Sequence, residues 1–162
     1  MRFDVFTRTD AISVPQAVMA TVLGLFAASC TTTGTSHTLV QGPMIDLDRP
    51  VPVALLIPKS YAETASIATS LEQAAQMAIA DLGNIRIDMR IYDTAGDPEQ
   101  AAQAAHEAVQ AGAKIILGPL LAENAKAVGE AVANSGVNVL SFSNNASVAG
   151  GNVFVLGPTF DN

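Results

Sequence analysis

Small polar side chains follow an apolar strand-like segment in "NVLSFSNN" (138–145), which ends in Ser143, Asn144 and Asn145. Hydroxyl and amide groups of this kind donate and accept hydrogen bonds, so the chemistry they suit is recognition of a small polar molecule. The same residue types also bond to their own backbone in turns, and that alternative stays open. Ser141 lies earlier in the segment, where we expect its hydroxyl to bond to the main chain.

Groups that could carry catalysis are sparse in this chain. His37 lies in a polar stretch, and His106 lies among Ala, Gln and Glu, where a solvated ring is the expected state. No His, Cys or Asp cluster has metal-ligand spacing, and neither G-x-G-x-x-G nor G-x-x-x-x-G-K-[ST] occurs. The sequence therefore predicts a protein that is not an enzyme and that needs neither a metal nor a cofactor.

The elements that would position the polar residues alternate between strands and helices. A capping box of Ser60 and Glu63 predicts the start of the first helix, and Asp97, Pro98 and Gln100 predict the start of the second. Gly83, Gly112 and Gly136 are expected to end the three helices. The predicted strands are 51–58, 85–93, 113–119, 137–143 and 153–157, and the third helix is predicted over 123–135 with Val128 and Val132 inward.

This alternation predicts an α/β fold with a doubly wound parallel sheet. The segments 51–58 and 113–119 are continuously apolar, as is typical of central strands buried on both faces. In contrast, 85–93 alternates apolar and polar residues, which predicts an edge strand buried on one face. Together these patterns predict the strand order 2-1-3-4-5.

In an open α/β sheet, ligands bind outside the carboxyl ends of the strands, at the point where the strand order reverses. With the predicted order, that point lies between the first and third strands. Three residues near this point could have a structural role instead of a ligand-binding one: Lys59 as a solvated cation, Tyr61 as a packing residue and Asp93 as the cap of a turn. The predicted ligand contacts are Lys59, Ser60, Tyr61, Pro119, Leu120, Ala122, Ser143, Asn144 and Asn145.

The formal net charge is -7, which argues against nucleic acid or an anionic membrane surface as a partner because both require a basic face. The amino-terminal segment is different in character. Arg2 and Arg8 precede the apolar run "AVMATVLGLFAA" (17–28), which is shorter than the ~20 residues of a membrane-spanning helix. A basic start, a short apolar stretch and small residues at its end predict a signal peptide over 1–29.

Cys30 is the only cysteine, so no intramolecular disulfide is possible. Its setting, "AASC" followed by "TTTGTSHT", resembles a bacterial lipobox in which the cysteine carries the lipid. We therefore expect a lipid-anchored periplasmic protein, with the outer membrane favoured over the inner one, and a polar tether over 30–50. The folded domain is predicted over 51–162.

Four segments, "VALLIPKS", "DTAGDPEQAAQAA", "AKIILGPLLAENAKAV" and "GVNVLSFSNN", resemble a known family in their order along the chain. They are similar to the amino-terminal lobe of type I periplasmic binding proteins, the leucine/isoleucine/valine-binding receptor superfamily. A narrower likeness to the bacterial lipoproteins called penicillin-binding protein activators rests on "YDTAGDPEQA", "IILGP" and "VLSFSNN…GGNVFVLGPTF". The resemblance covers residues 51–160.

The resemblance implies a two-lobed receptor that closes on a ligand between its lobes. In that family, a hydroxyl residue directly after the third strand holds the ligand carboxylate, whereas this chain has Ala122 there and Glu123 beside it. A hydrogen bond to a charged group contributes about 1.5–3 kcal/mol, so its loss would weaken amino-acid binding tenfold or more. Because only one lobe is present up to Asn162, we expect the sequence to be a fragment.

Two functions follow as hypotheses from the resemblance and from this departure. The favoured one is a regulator that binds and activates a penicillin-binding peptidoglycan synthase in the cell envelope. The alternative is the substrate-binding receptor of an ABC importer for amino acids or related small solutes. An extracytoplasmic sensor domain is a third, weaker hypothesis.

Overall fold

A computed structural model describes residues 42–46 and 48–158, all within one compact unit. The predicted signal peptide, Cys30, His37 and most of the predicted tether lie outside the described residues. The signal, lipid-anchor and tether assignments therefore stay predictions.

The described residues form an α/β fold around a parallel sheet, as predicted. The strand order is β2-β1-β3-β4-β5, and every neighbouring pair is parallel. The strands are β1 (Val51–Ile57), β2 (Ile87–Asp93), β3 (Ile115–Leu117), β4 (Asn138–Ser141) and β5 (Val153–Val155). The helices are α1 (Ala65–Asp81), α2 (Pro98–Gln110) and α3 (Ala122–Val132), with a 3-10 turn at Ala146–Val148.

The two faces of the sheet are covered unequally. On one face, α2 and α3 pack over a cluster that includes Leu56, Ile116 and Val139. On the other face, α1 alone packs over a smaller cluster around Leu55 and Ile57. The prediction that β3 is buried on both faces is therefore only partly right: Ile116 is buried, but its neighbours in β3 on the α1 face are half-buried.

Strand β2 lies at the edge of the sheet, which confirms its predicted position. The expected one-sided burial is not seen, because the residues on both of its faces are half-buried except Arg90, which is exposed. Tyr92, predicted on the open face, packs against the cluster beneath α2. The helix that follows the strand thus covers part of the face that the alternating pattern assigned to solvent.

Helix α1 begins later than predicted, and the Ser60–Glu63 capping box is wrong. The N-cap residue is Thr64, with no side-chain capping bond. Ser60 instead donates its backbone N–H to Asp93 Oδ1 at 3.3 Å, and Glu63 accepts from the hydroxyl of Tyr61 at 2.8 Å. Contacts to the β2–α2 loop hold these residues in a turn, so the helix can start only after them.

The predicted start of α2 is confirmed, with one difference. Asp97 is the N-cap, its Oδ1 accepts from the backbone N–H of Gln100 at 2.8 Å, and Pro98 is the first helical residue. The Gln100 side chain does not accept a hydrogen bond from the backbone N–H of Asp97, as a reciprocal capping box would require. It donates to the backbone oxygen of Asp93 at 3.0 Å and so connects the helix to the strand before it.

Several predicted elements extended too far along the chain. Strand β4 ends at Ser141 rather than at 143, and α3 ends at Val132 although Val128 and Val132 are buried as predicted. Beyond β3, Gly118 has φ +91° and packs so closely on the backbone of Leu56 that no Cβ would fit there. The chain therefore turns at this glycine and leaves the sheet two residues earlier than the apolar run suggested.

Candidate functional site

The segments that follow β1, β3 and β4 meet at one edge of the sheet, where the sequence placed the candidate site. Backbone bonds connect the segments at the ends of β3 and β4: the Gly118 N–H donates to the Leu140 oxygen at 2.8 Å, and the Phe142 N–H donates to the Pro119 oxygen at 3.0 Å. The segment after β2 joins the same edge, because the Thr94 N–H donates to the Ile57 oxygen at 3.0 Å. The strand order, with β1 and β3 adjacent, forces this convergence.

Ser141 connects two of these segments. Its hydroxyl donates to the backbone oxygen of Pro119 at 3.0 Å and accepts from the backbone N–H of Ser143 at 3.1 Å. Ser141 and Pro119 are both fully buried. This confirms the expected main-chain role of Ser141, and it makes Pro119 part of the support beneath the site.

The polar group Ser143–Asn145 is engaged with its own backbone. The buried Ser143 Oγ accepts from the Asn145 N–H at 3.1 Å. Asn145 Oδ1 then accepts from the Ser147 N–H at 2.9 Å and caps the 3-10 turn. These bonds are the turn alternative that the sequence left open. The side chain of Asn144 is exposed at the same edge.

Lys59, in the segment after β1, forms a salt bridge with a carboxylate of α1. Its Nζ lies 2.8 Å from Glu72 Oε2, with 44% of the lysine side chain and 21% of the glutamate side chain exposed. The pair neutralises the positive charge locally, so Lys59 attracts an incoming anion less strongly than a solvated lysine would.

Tyr61 packs on the neighbouring loop. A Cβ added to Gly96 would lie 2.7 Å from Tyr61 Cγ, so the ring rests against the backbone of the β2–α2 loop. Its hydroxyl donates to Glu63, and this hydrogen bond together with the negative charge of Glu63 raises the pKa of Tyr61. The phenol therefore stays protonated and serves as a donor to Glu63.

Asp93 ties the β1–α1 loop to the β2–α2 loop, as its predicted capping role suggested. Its Oδ1 accepts from the backbone N–H groups of Ser60 at 3.3 Å and Ala95 at 2.9 Å. Partial burial acts to raise the pKa of Asp93, but hydrogen bonds from the Ser60 hydroxyl and from the Ala95, Ser60 and Lys59 backbones outweigh it. The pKa of Asp93 is lowered as a result, and its charge stabilises the loop pair.

The segment after β3 offers no hydroxyl and no basic side chain to a negatively charged ligand. Leu120 and Ala122 are half-buried, and Ala122 is the first residue of α3. Leu121 provides no side-chain cap to the helix, and Glu123 is exposed in its first turn. A carboxylate ligand approaching this helix would be attracted by the uncapped backbone N–H groups of its first turn, but it would meet the negative charge of Glu123 and would find no hydroxyl at Ala122.

Sequence reasoning missed three residues with buried polar atoms. Among the described residues, no hydrogen-bond partner exists for Thr64 Oγ1, Thr94 Oγ1 or either side-chain polar atom of Asn124. All three follow the carboxyl ends of strands, after β1, β2 and β3 respectively. Nothing in the sequence signals this, because burial depends on how the helices pack.

An acidic cavity of about 490 Å³ was also missed. It lies between the end of β2 and α2, where Asp93, Asp97, Glu99 and Glu107 contribute carboxylates to its lining. The spacing of Glu99 and Glu107, eight residues apart on one helix, is the sequence signal that places both on the same face.

Two negative findings apply to residues 42–46 and 48–158. Within them, no group of three or more His, Cys, Asp or Glu side chains is arranged to hold a metal ion. No helix in this part of the chain combines the length and the apolar character needed to span a membrane.

Comparisons with known proteins agree with this architecture. The family model for periplasmic binding proteins matches residues 50–162. No curated protein matches the chain. Among solved structures, the branched-chain amino acid transporter substrate-binding protein LivJ of Streptococcus pneumoniae, in complex with isoleucine, superposes with a TM-score of 0.61 at 17% identity. That match covers 66% of this chain and 33% of LivJ.

Two further structures are similar in fold. A solute-binding protein of an R. palustris ABC transporter, in complex with 4-hydroxybenzoate, gives a TM-score of 0.60 at 17% identity over 66% of this chain and 31% of that one. Full-length LpoA of Haemophilus influenzae gives 0.55 at 23% identity over 68% of this chain and 20% of LpoA.

The chain thus spans a third or less of the length of the solved proteins it resembles. At these identities the structural likeness shows the fold, which is part of a type I periplasmic binding fold. The family model covers most of the chain, and membership of this family implies an extracytoplasmic location. The chain belongs to the periplasmic binding protein family.

Proposed function

We propose that this protein is a non-enzymatic, lipid-anchored regulator that binds and activates a penicillin-binding peptidoglycan synthase. The observation that carries the proposal is that several of the candidate ligand groups at the carboxyl ends of the strands already bond to other parts of the protein. Ser143 and Asn145 bond their own turn, and Lys59 is paired with Glu72. Where an amino-acid receptor would hold a ligand carboxylate, Ala122 and Glu123 stand instead.

An edge of this kind suits contact with a protein surface better than capture of a charged solute. Its exposed groups include Asn144, Glu63 and Glu123, which are spread over three segments. Polar and charged groups at the rim of a contact contribute to orientation and association rate. The buried turn bonds beneath them keep the edge rigid, which limits the entropy lost on binding.

A capture experiment with the envelope synthases tests the proposal. Reversal of charge by Glu123→Lys at the exposed start of α3 should reduce recovery of the synthase at least tenfold. Glu130→Lys makes the same change at an exposed position two turns further along the helix, so it should leave recovery unchanged. Failure of the unmodified protein to recover any penicillin-binding synthase would contradict the proposed function.

The alternative is a receptor for amino acids or related small solutes of an ABC importer. The fold favours it, since the similar S. pneumoniae and R. palustris structures are transporter proteins with small ligands bound. A ligand at 100 times its dissociation constant adds about 2.7 kcal/mol to the free energy of unfolding, which a thermal shift detects. A shift with an amino acid, measured on the complete protein, would favour this function over the regulator.

The anchor and the domain organisation form part of the proposal. We infer a signal peptide over 1–29, lipid on Cys30 and a tether over 30–50, with the outer membrane as the site of attachment. Cys30→Ser should release the protein from the membrane fraction. The intact mass of the native protein tests whether a second lobe follows residues 51–162: a mass about double that of the mature chain plus acyl groups is the expected result.

A further inference from the structure

Helix α3 begins after a residue that cannot cap it. Its N-cap is Leu121, which makes no side-chain hydrogen bond to the first turn. The first N–H groups of a helix have no partner within the helix, and Ser, Thr, Asp or Asn at the N-cap normally provides one. Asp97 does this for α2, where it accepts from the N–H of Gln100 at 2.8 Å. The first turn of α3 therefore lacks a stabilising bond that α2 has.

Three residues further along, the same helix buries an amide group that has no partner. Asn124 is 1% exposed, and among the described residues neither its Oδ1 nor its Nδ2 has a hydrogen-bond partner. A buried polar group without a partner destabilises the conformation that buries it. The observed start of α3 thus combines a missing cap with an unpaired amide.

Asn124 is itself one of the strongest N-cap residues. If the two helical residues before it unwound, Asn124 would become the N-cap of a helix that begins at Ala125. Its Oδ1 would then accept from the backbone N–H of Lys126 or Ala127, the second and third residues of that helix, where capping side chains bond. Unwinding would give the buried amide a partner and would provide the shortened helix with a cap.

We propose that α3 has two alternative starts: the observed long form, which begins at Ala122, and a minor short form, which begins at Ala125 with Asn124 as its N-cap. The long form keeps the bond from the Ala125 N–H to the Leu121 oxygen at 3.0 Å. It also places the negative charge of Glu123 in the first turn, where the helix dipole favours it.

The short form has different advantages. It gains the cap, it removes the unpaired amide from the interior, and it returns conformational entropy to the residues that leave the helix. Its disadvantage is that the positive charge of Lys126 then lies in the first turn. Because these opposing contributions are of similar size, the short form is populated as a local opening of the folded protein.

The choice of start changes how Glu123 is presented at the candidate site. In the long form this exposed carboxylate lies on the helix, and in the short form it lies in the loop after β3. A synthase that contacts Glu123 would bind one form in preference and shift the equilibrium toward it. Only this last step rests on the proposed function, because the two starts are a property of the protein alone.

Hydrogen exchange of the complete chain, resolved by residue with NMR, tests the proposal. The Ala125 N–H is bonded in the long form and free in the short form. One of the N–H groups of Lys126 and Ala127 is bonded in both forms, to the helix or to Asn124 Oδ1. After correction for intrinsic rates, Ala125 should therefore exchange about fivefold faster than the slower of these two, as expected for a cap of ordinary strength.

Asn124→Ala removes the cap of the short form, so that unwinding leaves all three N–H groups without a partner. The ratio between the rate at Ala125 and the slower of the other two rates should then fall by about threefold or more. Asn124→Ser is the matched control, because serine caps a helix as well as asparagine does, and it should keep the ratio. A ratio within one protein does not depend on how often the turn unwinds.

Two outcomes of this experiment overturn the proposal: an Ala125 N–H as well protected as that of Val128, and a ratio that is unchanged in Asn124→Ala. A second pair of variants acts at the observed start. Leu121→Ser supplies the missing cap of the long form, whereas Leu121→Ala removes the same apolar side chain without supplying one. Exchange at Ala125 should be about threefold or more slower in the serine variant.

Equal rates at Ala125 in the Leu121 pair would show that this N–H does not exchange through unwinding of the first turn, and would also overturn the proposal. Neither experiment contains a synthase. Their failure would therefore leave the proposed function unaffected, and failure of the capture experiment would leave the two starts of α3 unaffected.

Discussion

The hydroxyl of Ser141 lies 3.0 Å from the backbone oxygen of Pro119, and this bond joins the segments that leave β4 and β3. The same hydroxyl accepts from the Ser143 N–H at 3.1 Å. One buried side chain therefore holds together the turns after β3 and β4, which form the centre of the candidate site. The rigidity of the candidate site depends on it.

Ser141→Ala should destabilise the protein by about 1–3 kcal/mol. The substitution leaves the buried Ser143 N–H without its partner and removes one of the two hydrogen bonds that the Pro119 oxygen accepts, which costs more than the loss of a solvated bond. Ser147→Ala is the matched control, because Ser147 is exposed and is held through its backbone N–H alone. Chemical denaturation of both variants measures the difference, and equal stabilities would contradict the role assigned to Ser141.

Asn124→Leu should leave stability unchanged or raise it by about 1 kcal/mol. The side chain is 1% exposed, and its polar atoms have no partner among the described residues. Replacing an unpaired buried amide by an apolar group of similar size removes a desolvation cost. The exposed Asn134→Leu serves as control. A loss of more than about 2 kcal/mol at Asn124 would mean that water, a ligand or another part of the protein bonds this amide.

Gly129→Ala should destabilise the protein by about 1–3 kcal/mol even though alanine favours helices. The helix α3 packs directly on β5 at this glycine, and an added Cβ would collide with Cγ2 of Val153. Glu130→Ala, at the next and exposed position, should change the free energy of unfolding by less than about 0.5 kcal/mol. Thermal denaturation of both variants measures the difference. A stabilised Gly129→Ala protein would show that α3 and β5 can move apart without loss of stability.

Asp93→Ala should reduce stability by about 1–2 kcal/mol at neutral pH, because two backbone N–H groups lose a charged acceptor that is only half-buried. The pKa of Asp93 is lowered below its ordinary value of 3.8 in the folded protein. Its charge therefore contributes stability that is present above that value and is lost as the pH falls through the folded-state pKa.

The difference between wild type and Asp93→Ala should accordingly shrink as the pH is taken below about 4. Asp81→Ala, at an exposed carboxylate, controls for the general loss of negative charge. Free energies of unfolding across an acid pH series provide the measurement. A difference that stays constant down to the acid unfolding limit would show that the charge of Asp93 does not stabilise the loops.

Local signals in the sequence predicted most of the architecture. The apolar run 51–58 and the alternating run 85–93 predicted a central and an edge strand, and the order 2-1-3-4-5 followed from them. The N-cap at Asp97 was predicted because capping requires only three neighbouring residues. Interactions between residues that are close together in the chain can therefore be predicted from the sequence.

The errors arose where a distant contact overrides a local pattern. Ser60 and Glu63 have capping-box spacing. However, the carboxylate of Asp93, 33 residues away, accepts a hydrogen bond from the backbone N–H of Ser60. The apolar run through β3 predicted a longer strand, yet Gly118 turns the chain where it meets the backbone of Leu56. In both places the tertiary contact competes with a local interaction worth about 1 kcal/mol, and the tertiary contact is the one observed.

The sequence by itself determined which residues reach the edge of the sheet: parallel strands of known order bring Lys59, Pro119 and Ser143 together. Only the tertiary structure decided what these side chains do there, that is, which of them bond the backbone, pair with Glu72 or lie buried as support. The physical reason is that residue order and periodicity fix where a chain segment runs. Hydrogen bonding and burial of a side chain depend on neighbours that the fold supplies from distant positions.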